Sequence, residues 1–322
     1  MPECAGAGHA ISGVDFTLSG AGAGHTLSGV DFTLSGLSGE GGVRQPTGEA
    51  QVLNIAAYRF VAIDDCAALR DQLLGRCCAL DLRGTILLAP EGLNLFLAGA
   101  PARIAAWLAA LLEDARFHGL ALRRSWSAEQ PFAKMQVKLK AEIIRMRRPE
   151  LVPAAGRARA VAPATLARWI DQGRDEEGRP LLLLDTRNAF EVDYGSFRGA
   201  MSLGLGRFSD FPARIAPYLD ALRDKTVVSF CTGGIRCEKA ALFLGSAGLV
   251  HNYQLDGGIL GYLESVGAQH YNGTCFVFDG REALDHRLAP ISKPMARSTG
   301  LLPQESARST GLLPQEAARS PV

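Results

Sequence analysis

The strongest constraint on the fold is one stretch, Val227-Val228-Ser229-Phe230-Cys231-Thr232-Gly233-Gly234-Ile235-Arg236-Cys237-Glu238-Lys239-Ala240-Ala241. Val227 to Phe230 is short, β-branched and aromatic, the pattern of a buried strand, whereas Glu238 to Gly245 carries the Ala/Leu/Phe pattern of a helix. Cys231 is therefore expected at a strand-to-helix turn. A helix start exposes backbone N–H groups and the positive end of its dipole, both of which favour an anion, and a thiolate is one. Gly233 and Gly234 let the loop curl with its N–H groups inward, and Arg236 brings a positive charge close. The expected anion cradle is Thr232, Gly233, Gly234, Ile235, Arg236 and Cys237, around a Cys231 thiol of depressed pKa and raised reactivity. The plainer alternative, an inert buried cysteine ending a strand, leaves the paired glycines and the arginine without a packing purpose. Cys237 falls in the first helical turn and is open to three readings: a resolving thiol, a packing residue or a spectator.

At 322 residues, 47% of them hydrophobic and 21% charged, the chain is long enough for two ordinary domains with real cores. A net charge of +1 means that any attraction to nucleic acid must come from a local patch. The seven cysteines are irregularly spaced and do not read as a disulfide framework, which favours a reducing compartment. No apolar run reaches the length of a membrane span, and no basic segment followed by a hydrophobic stretch opens the chain. A cytoplasmic protein with no membrane partner is expected.

Residues 5 to 20 recur almost letter for letter at 21 to 36, with Ala10 replaced by Thr26 and Ile11 by Leu27. Residues 296 to 306 repeat at 307 to 317. Both copies read as disordered tandem-repeat tails, spanning 1–50 and 289–322, with His9 and His25 as spectators repeated with the unit. Between the tails, residues 51–148 read in the order β-α-β-β-α-β: strands at Val52 to Ile63, Thr85 to Ala89, Leu93 to Ala98 and Leu120 to Trp126, and helices at Asp64 to Leu80 and from Pro101 onward. That order is a ferredoxin-like α+β sandwich. Residues 149–163 read as a linker. From 164 to 288 strands alternate with helices, including one helix through Phe211 to Leu222, which implies a parallel five-stranded sheet with helices on both faces and Cys231 at a strand's carboxyl end.

Between the two halves lies a basic segment carrying Lys134, Lys138, Lys140, Arg145, Arg147 and Arg148. In Lys134 to Lys140 polar and apolar residues alternate, so a strand would bury Met135, Val137 and Leu139 and present the lysines on its other face. Such a stripe either binds nucleic-acid phosphates or protects a strand edge, and sequence alone leaves both open. Asp185 and Arg187 read as structural, an Asp capping a turn and an Arg paired with Glu191. Lys239 is undecided between cradle and solvent, and His251 and His270 read as surface histidines.

Asp185-Thr186-Arg187 with Glu191, then Gly195, Gly199-Ala200 and the cysteine loop, resemble a rhodanese domain. The loop Cys231 to Lys239, with Gln254-Leu255-Asp256-Gly257-Gly258-Ile259 and Cys275-Phe276-Val277-Phe278-Asp279, is similar to the oxygen-dependent tRNA uridine(34) hydroxylase family. That family pairs a ferredoxin-like domain with a rhodanese domain, and the resemblance covers about residues 51 to 288. It implies an oxidoreductase that hydroxylates the wobble uridine of tRNA to 5-hydroxyuridine, with molecular oxygen as co-substrate and Cys231 as the active-site cysteine, described by analogy as a persulfide carrier. The tRNA anticodon loop is the implied partner, and no bound cofactor is identifiable, since neither a dinucleotide fingerprint nor a His/carboxylate set for iron is present. Family members commonly carry further cysteine pairs beyond the Cys275 segment, whereas here Cys275 is the last. The alternative is a rhodanese-type sulfurtransferase carrying a persulfide on the same cysteine. A non-catalytic docking module is a third, weaker reading, and a rhodanese-related phosphatase is disfavoured because only four residues separate Cys231 from Arg236 where those enzymes have five.

Overall fold

A computed structural model describes residues 51–291, so both tandem repeats, His9 and His25 lie outside the described residues. The first half is built on strands β1 (Val52–Phe60), β2 (Arg83–Ala89), β3 (Gly92–Gly99), β4 (Arg123–Ser127) and β5 (Met135–Leu139), with helices α1 (Cys66–Ala79) and α2 (Pro101–Leu112). Its sheet order is β4-β1-β3-β2-β5. The first four strands are mutually antiparallel, as a ferredoxin-like chain path requires, and β5 adds parallel to β2 at the edge. Pro101 sits at the first position of α2, where its missing N–H costs nothing, and Ile104, Trp107, Leu108 and Leu111 form the helix face buried on the sheet. Both helices cover one face of the sheet, where Leu53, Ile55, Leu93, Leu95 and Leu97 point. The other face is turned toward the second half of the chain.

The alternation expected in β5 holds only in part. Met135 is buried, but Val137 is half-buried and Leu139 is 42% exposed. As an edge strand, β5 has no neighbour on its outer side to extend the core over its last residues.

The second half contains β6 (Ala160–Val161), α3 (Pro163–Gln172), β7 (Leu181–Asp185), α4 (Ala189–Val192), β8 (Gly195–Phe197), β9 (Met201–Ser202), α5 (Phe211–Ile215), α6 (Leu219–Leu222), β10 (Thr226–Phe230), α7 (Ile235–Ser246), β11 (Asn252–Leu255) and α8 (Gly258–Ser265). Its main sheet runs β6-β11-β10-β7-β9, every pair parallel. Strand β10 is central and wholly buried, sending Val228 and Phe230 into one core with α3 and α8, and Val227 into a second core with α5 and α7. A sheet covered on both faces explains the unbroken hydrophobic run that marked this strand in the sequence. No helix among the described residues is long and apolar enough to cross a membrane.

Three expectations require correction. The helix expected through Phe211 to Leu222 is broken into α5, a 3-10 turn at Ala216–Tyr218 and α6, because Pro217 can neither donate to the helix ladder nor avoid the preceding turn. The segment read as a linker is partly structural: Ala160 and Val161 form the sheet edge, and Leu151 sits in the second core. Helix α7 begins at Ile235 rather than Glu238, so Arg236 joins Cys237, already expected there, in its first turn.

The two halves are bonded to each other through α7. Buried Lys239 places its Nζ 2.8 Å from Glu91, in the β2–β3 turn, 2.7 Å from Glu142 and 3.0 Å from the carbonyl oxygen of Ile144. Removing the cation from such a group leaves two poorly solvated carboxylates facing each other. Lys239→Met is therefore expected to lower the free energy of unfolding by roughly 3 kcal/mol, whereas breaking the exposed Arg223–Asp220 pair with Arg223→Ala costs about 0.5 kcal/mol or less. Urea denaturation of both variants checks this, and equal midpoints would rule the clamp out.

Candidate functional site

Cys231 follows the last residue of β10 and is 1% exposed. Its Sγ accepts the N–H of Gly234 at 3.1 Å. Gly234 has φ of +98°, the left-handed conformation that turns this N–H back toward the sulfur, and a side chain there would crowd the Tyr58 hydroxyl. The loop's carbonyls are capped from the other side: Ile259 donates to the Cys231 oxygen at 2.9 Å and Leu260 to that of Thr232 at 3.1 Å. These are N–H groups from the first turn of α8, left without helical partners and matched here to the loop. Gly258, with φ of +63°, permits the approach, since a Cβ would stand 2.4 Å from the Cys231 oxygen.

Burial by itself would raise the Cys231 pKa. It is outweighed by the Cys237 thiol, the Arg236 charge and the N–H groups of Arg236 and Gly234, which together bring it down to about 6. Cys237, fully buried 3.8 Å from the Thr186 hydroxyl, is pushed the other way by burial and by its neighbour's negative charge, so it stays a neutral thiol. The arrangement is one sulfur held as an anion beside one held protonated.

Arg236 does not stand free beside that anion. Its guanidinium forms two 2.6 Å bonds with the Glu191 carboxylate, both groups buried. This corrects the expected pairing of Glu191 with Arg187: the Arg187 side chain instead grips Asp185 at 2.7 Å, each fully buried, and donates to the Gly195 carbonyl at 2.6 Å. Ser196 also donates to Asp185 at 2.7 Å, so Asp185 and Arg187 lock the loop after β7. Glu238, two residues beyond Arg236 along α7, accepts from Tyr58 at 3.0 Å, Arg157 at 2.9 Å and Gln254 at 2.9 Å. Tyr58 comes from β1, so the first half of the chain reaches to within one residue of the cysteine loop.

Cys231, Thr232, Gly233, Ile235 and Arg236 line a cavity of about 410 Å³, within the range of small-ligand sites. Its opposite wall is the uncovered face of the first sheet, including Tyr58, Asn94, Phe96 and Arg123. Gly234 and Cys237 shape the loop from behind without lining the cavity. None of Lys134, Lys138, Lys140, Arg145, Arg147 and Arg148 lines it either. Lys134, Lys138 and Lys140 lie on or beside β5, at the sheet edge opposite β4, and Arg145, Arg147 and Arg148 are exposed in the segment that follows. The cavity's basic side chains are others. Arg123 is matched to Glu264 at 3.3 Å, Arg157 to Glu238 and Asp256, and Arg281 to Asp279 at 2.6 Å, whereas Arg59, which donates to the Arg116 carbonyl at 3.0 Å, and Arg124 have no carboxylate partner among the described residues. His270 is buried rather than on the surface, while His251 is half-buried. Of the residues missed from sequence, Tyr58, Asn94 and Arg123 carried no local signal beyond lying in strands.

Residues 52–143 match the family model described as UPF0176 acylphosphatase like domain, and residues 163–265 match that of the rhodanese-like domain. A tRNA uridine(34) hydroxylase from Bordetella avium (strain 197N) is 56% identical over 240 residues, covering 74% of this chain and 99% of that protein. One from Variovorax paradoxus (strain S110) is 55% identical over 255 residues, covering 78% of this chain and 97% of that protein.

The chemistry of the loop is directly measurable. Alkylation requires thiolate, so its rate climbs with pH through the thiol pKa; a pKa near 6 puts that climb well below the ~8.5 of free cysteine. Iodoacetamide labelling of Cys231, followed by peptide mass spectrometry against pH, is expected to show its midpoint there. Cys275, pushed up to about 12 by burial, is expected to stay unlabelled across the same range. A Cys231 midpoint at about 8 or above would contradict the cradle.

Proposed function

Because this chain belongs to the tRNA uridine(34) hydroxylase family, sharing 56% identity with one member over almost that member's whole length, we propose that it hydroxylates uridine 34 of tRNA at C5. The reaction replaces the C5–H bond with C5–OH. With molecular oxygen as co-substrate, one oxygen atom enters the base and the other leaves as water, which requires two electrons and two protons from a reductant. On this reading the protein is an oxidoreductase of the cytoplasm.

The observation that carries the proposal is the placement of a stabilised sulfur anion at the floor of a cavity whose opposite wall is a second domain. Position 34 lies in a single-stranded loop, so its base can be turned out of its stack into such a cavity without opening a duplex. The Gly234 N–H and the Arg236 charge hold the Cys231 sulfur ready as a nucleophile, and the sheet face opposite forms the other wall of the space. Arg123, Arg157, Arg236 and Arg281 are already charge-matched, so we assign phosphate contacts to the other basic side chains: exposed Lys140, Arg145, Arg147 and Arg148 outside the cavity, and Arg59 and Arg124, which line it without a carboxylate partner among the described residues.

The same cradle also suits a persulfide on Cys231, because an outer sulfur anion needs the same donors; a sulfurtransferase is the second reading. Incubation of purified protein with unmodified tRNA, a reductant and oxygen, followed by nucleoside mass spectrometry, separates the two. Formation of 5-hydroxyuridine that requires oxygen and disappears in Cys231→Ala supports hydroxylation. Absence of that product, together with thiocyanate formation from thiosulfate and cyanide that vanishes in Cys231→Ser, would replace hydroxylation with sulfur transfer.

A further inference from the structure

We propose that Asn94 reads the Watson–Crick edge of the target base, its Oδ1 accepting the uracil N3–H and its Nδ2 donating to O4; this rests on the hydroxylase reading for the identity of the base.

Asn94 sits on β3, between β1 and β2 in the middle of its sheet. Its neighbours Leu93 and Leu95 are fully buried toward the helices, so strand alternation sends Asn94 to the face that walls the cavity. It lies directly across from Tyr58, the residue that packs against Gly234 and bonds Glu238 behind the cysteine loop. The side chain is only 7% exposed and makes no hydrogen bond with any described residue.

A buried amide on a rigid central strand cannot swing out to bulk solvent, and leaving its donor and acceptor unmatched is costly. Asn54, on the same face of β1, is matched on one side, its Nδ2 donating to the Ser127 hydroxyl at 3.0 Å while its Oδ1 has no partner among the described residues. Asn94 has no such neighbour and opens instead onto the space shared with Cys231. Phe96, Phe132, Ile235 and Leu260 supply apolar wall around that space, suited to the faces of a flat heterocycle. An amide offers one acceptor beside one donor, the complement of N3–H beside C4=O. A site built to hydrogen-bond a substrate group discriminates against analogues that lack it, because its own buried group is then stranded.

The test pairs a change in the protein with a change in the RNA. Synthetic anticodon stem-loops carrying uridine or N3-methyluridine at position 34 are compared on wild type, Asn94→Ala and the volume-matched Asn94→Leu, by hydroxylation rate and by anaerobic fluorescence anisotropy. Both variants are expected to lower kcat/KM on the uridine loop about 10- to 100-fold. The N3-methyl group is expected to weaken wild-type binding and turnover by a similar factor and to have little further effect on either variant. Penalties that multiply independently in both readouts would overturn the proposal. If wild type fails to hydroxylate but the binding penalties remain coupled, the hydroxylase reading falls and the Asn94 contact stands. An unchanged pH midpoint for Cys231 alkylation in the variants shows the site intact, and of the two, the variant that keeps that midpoint decides.

Discussion

The site depends on three consecutive charge commitments in the first turns of α7. Arg236 is tied to Glu191 in its own domain, Glu238 to Tyr58 and Arg157, and Lys239 to Glu91 and Glu142. Each charge is nearly or wholly removed from water, and a buried charge is tolerated only when paired and hydrogen-bonded. The helix that presents the cysteine loop therefore cannot rotate or slide without stranding at least one of them. Hydrophobic packing assembles each half; the Glu238 and Lys239 contacts fix the halves against one another, and the cavity is the space they leave.

Electrostatic matching also sets the character of that space. An unpaired arginine beside Cys231 would attract any small anion, but the bidentate Glu191 contact cancels much of its distant field while leaving its charge close to the sulfur. The same compensation recurs at Arg123, Arg157 and Arg281. What distinguishes the cavity chemically is thus one sulfur anion facing a sheet wall of apolar side chains and the amides of Asn54 and Asn94, with Arg59 and Arg124 as lining cations that have no carboxylate partner among the described residues.

Much of this was legible from residues alone. The β10–Cys231–α7 turn could be read because a doubly covered strand has to be continuously apolar and a tight anion loop has to contain glycine. The order of the first sheet followed from helix and strand periodicities, since few chain paths satisfy β-α-β-β-α-β. The misreadings share a cause: they concern relations that sequence distance conceals. Arg187 and Glu191 are four apart and invite pairing, yet Glu191 is claimed by Arg236, which is 45 residues away. The end of β5 looked buried because alternation describes the strand and not whether another element covers it. Tyr58, Asn94 and Arg123 resemble any residues on a sheet's polar face, and become interesting only once that face is found opposite Cys231. The break at Pro217 is different, since its signal is present in the sequence itself.

The division of the cavity between two domains has a consequence for how such a protein is able to change over time. A gene fragment encoding the second half would carry its sulfur and its cradle complete, yet with no roof over them, and the first half would be a roof over nothing. Shuffling either module into a new context thus transmits the reactive atom or the recognition surface, but not both. Drift in the contacts around Glu91, Glu142 and Tyr58 reaches the same cavity as drift in the cysteine loop itself, though those positions lie up to 173 residues earlier in the chain.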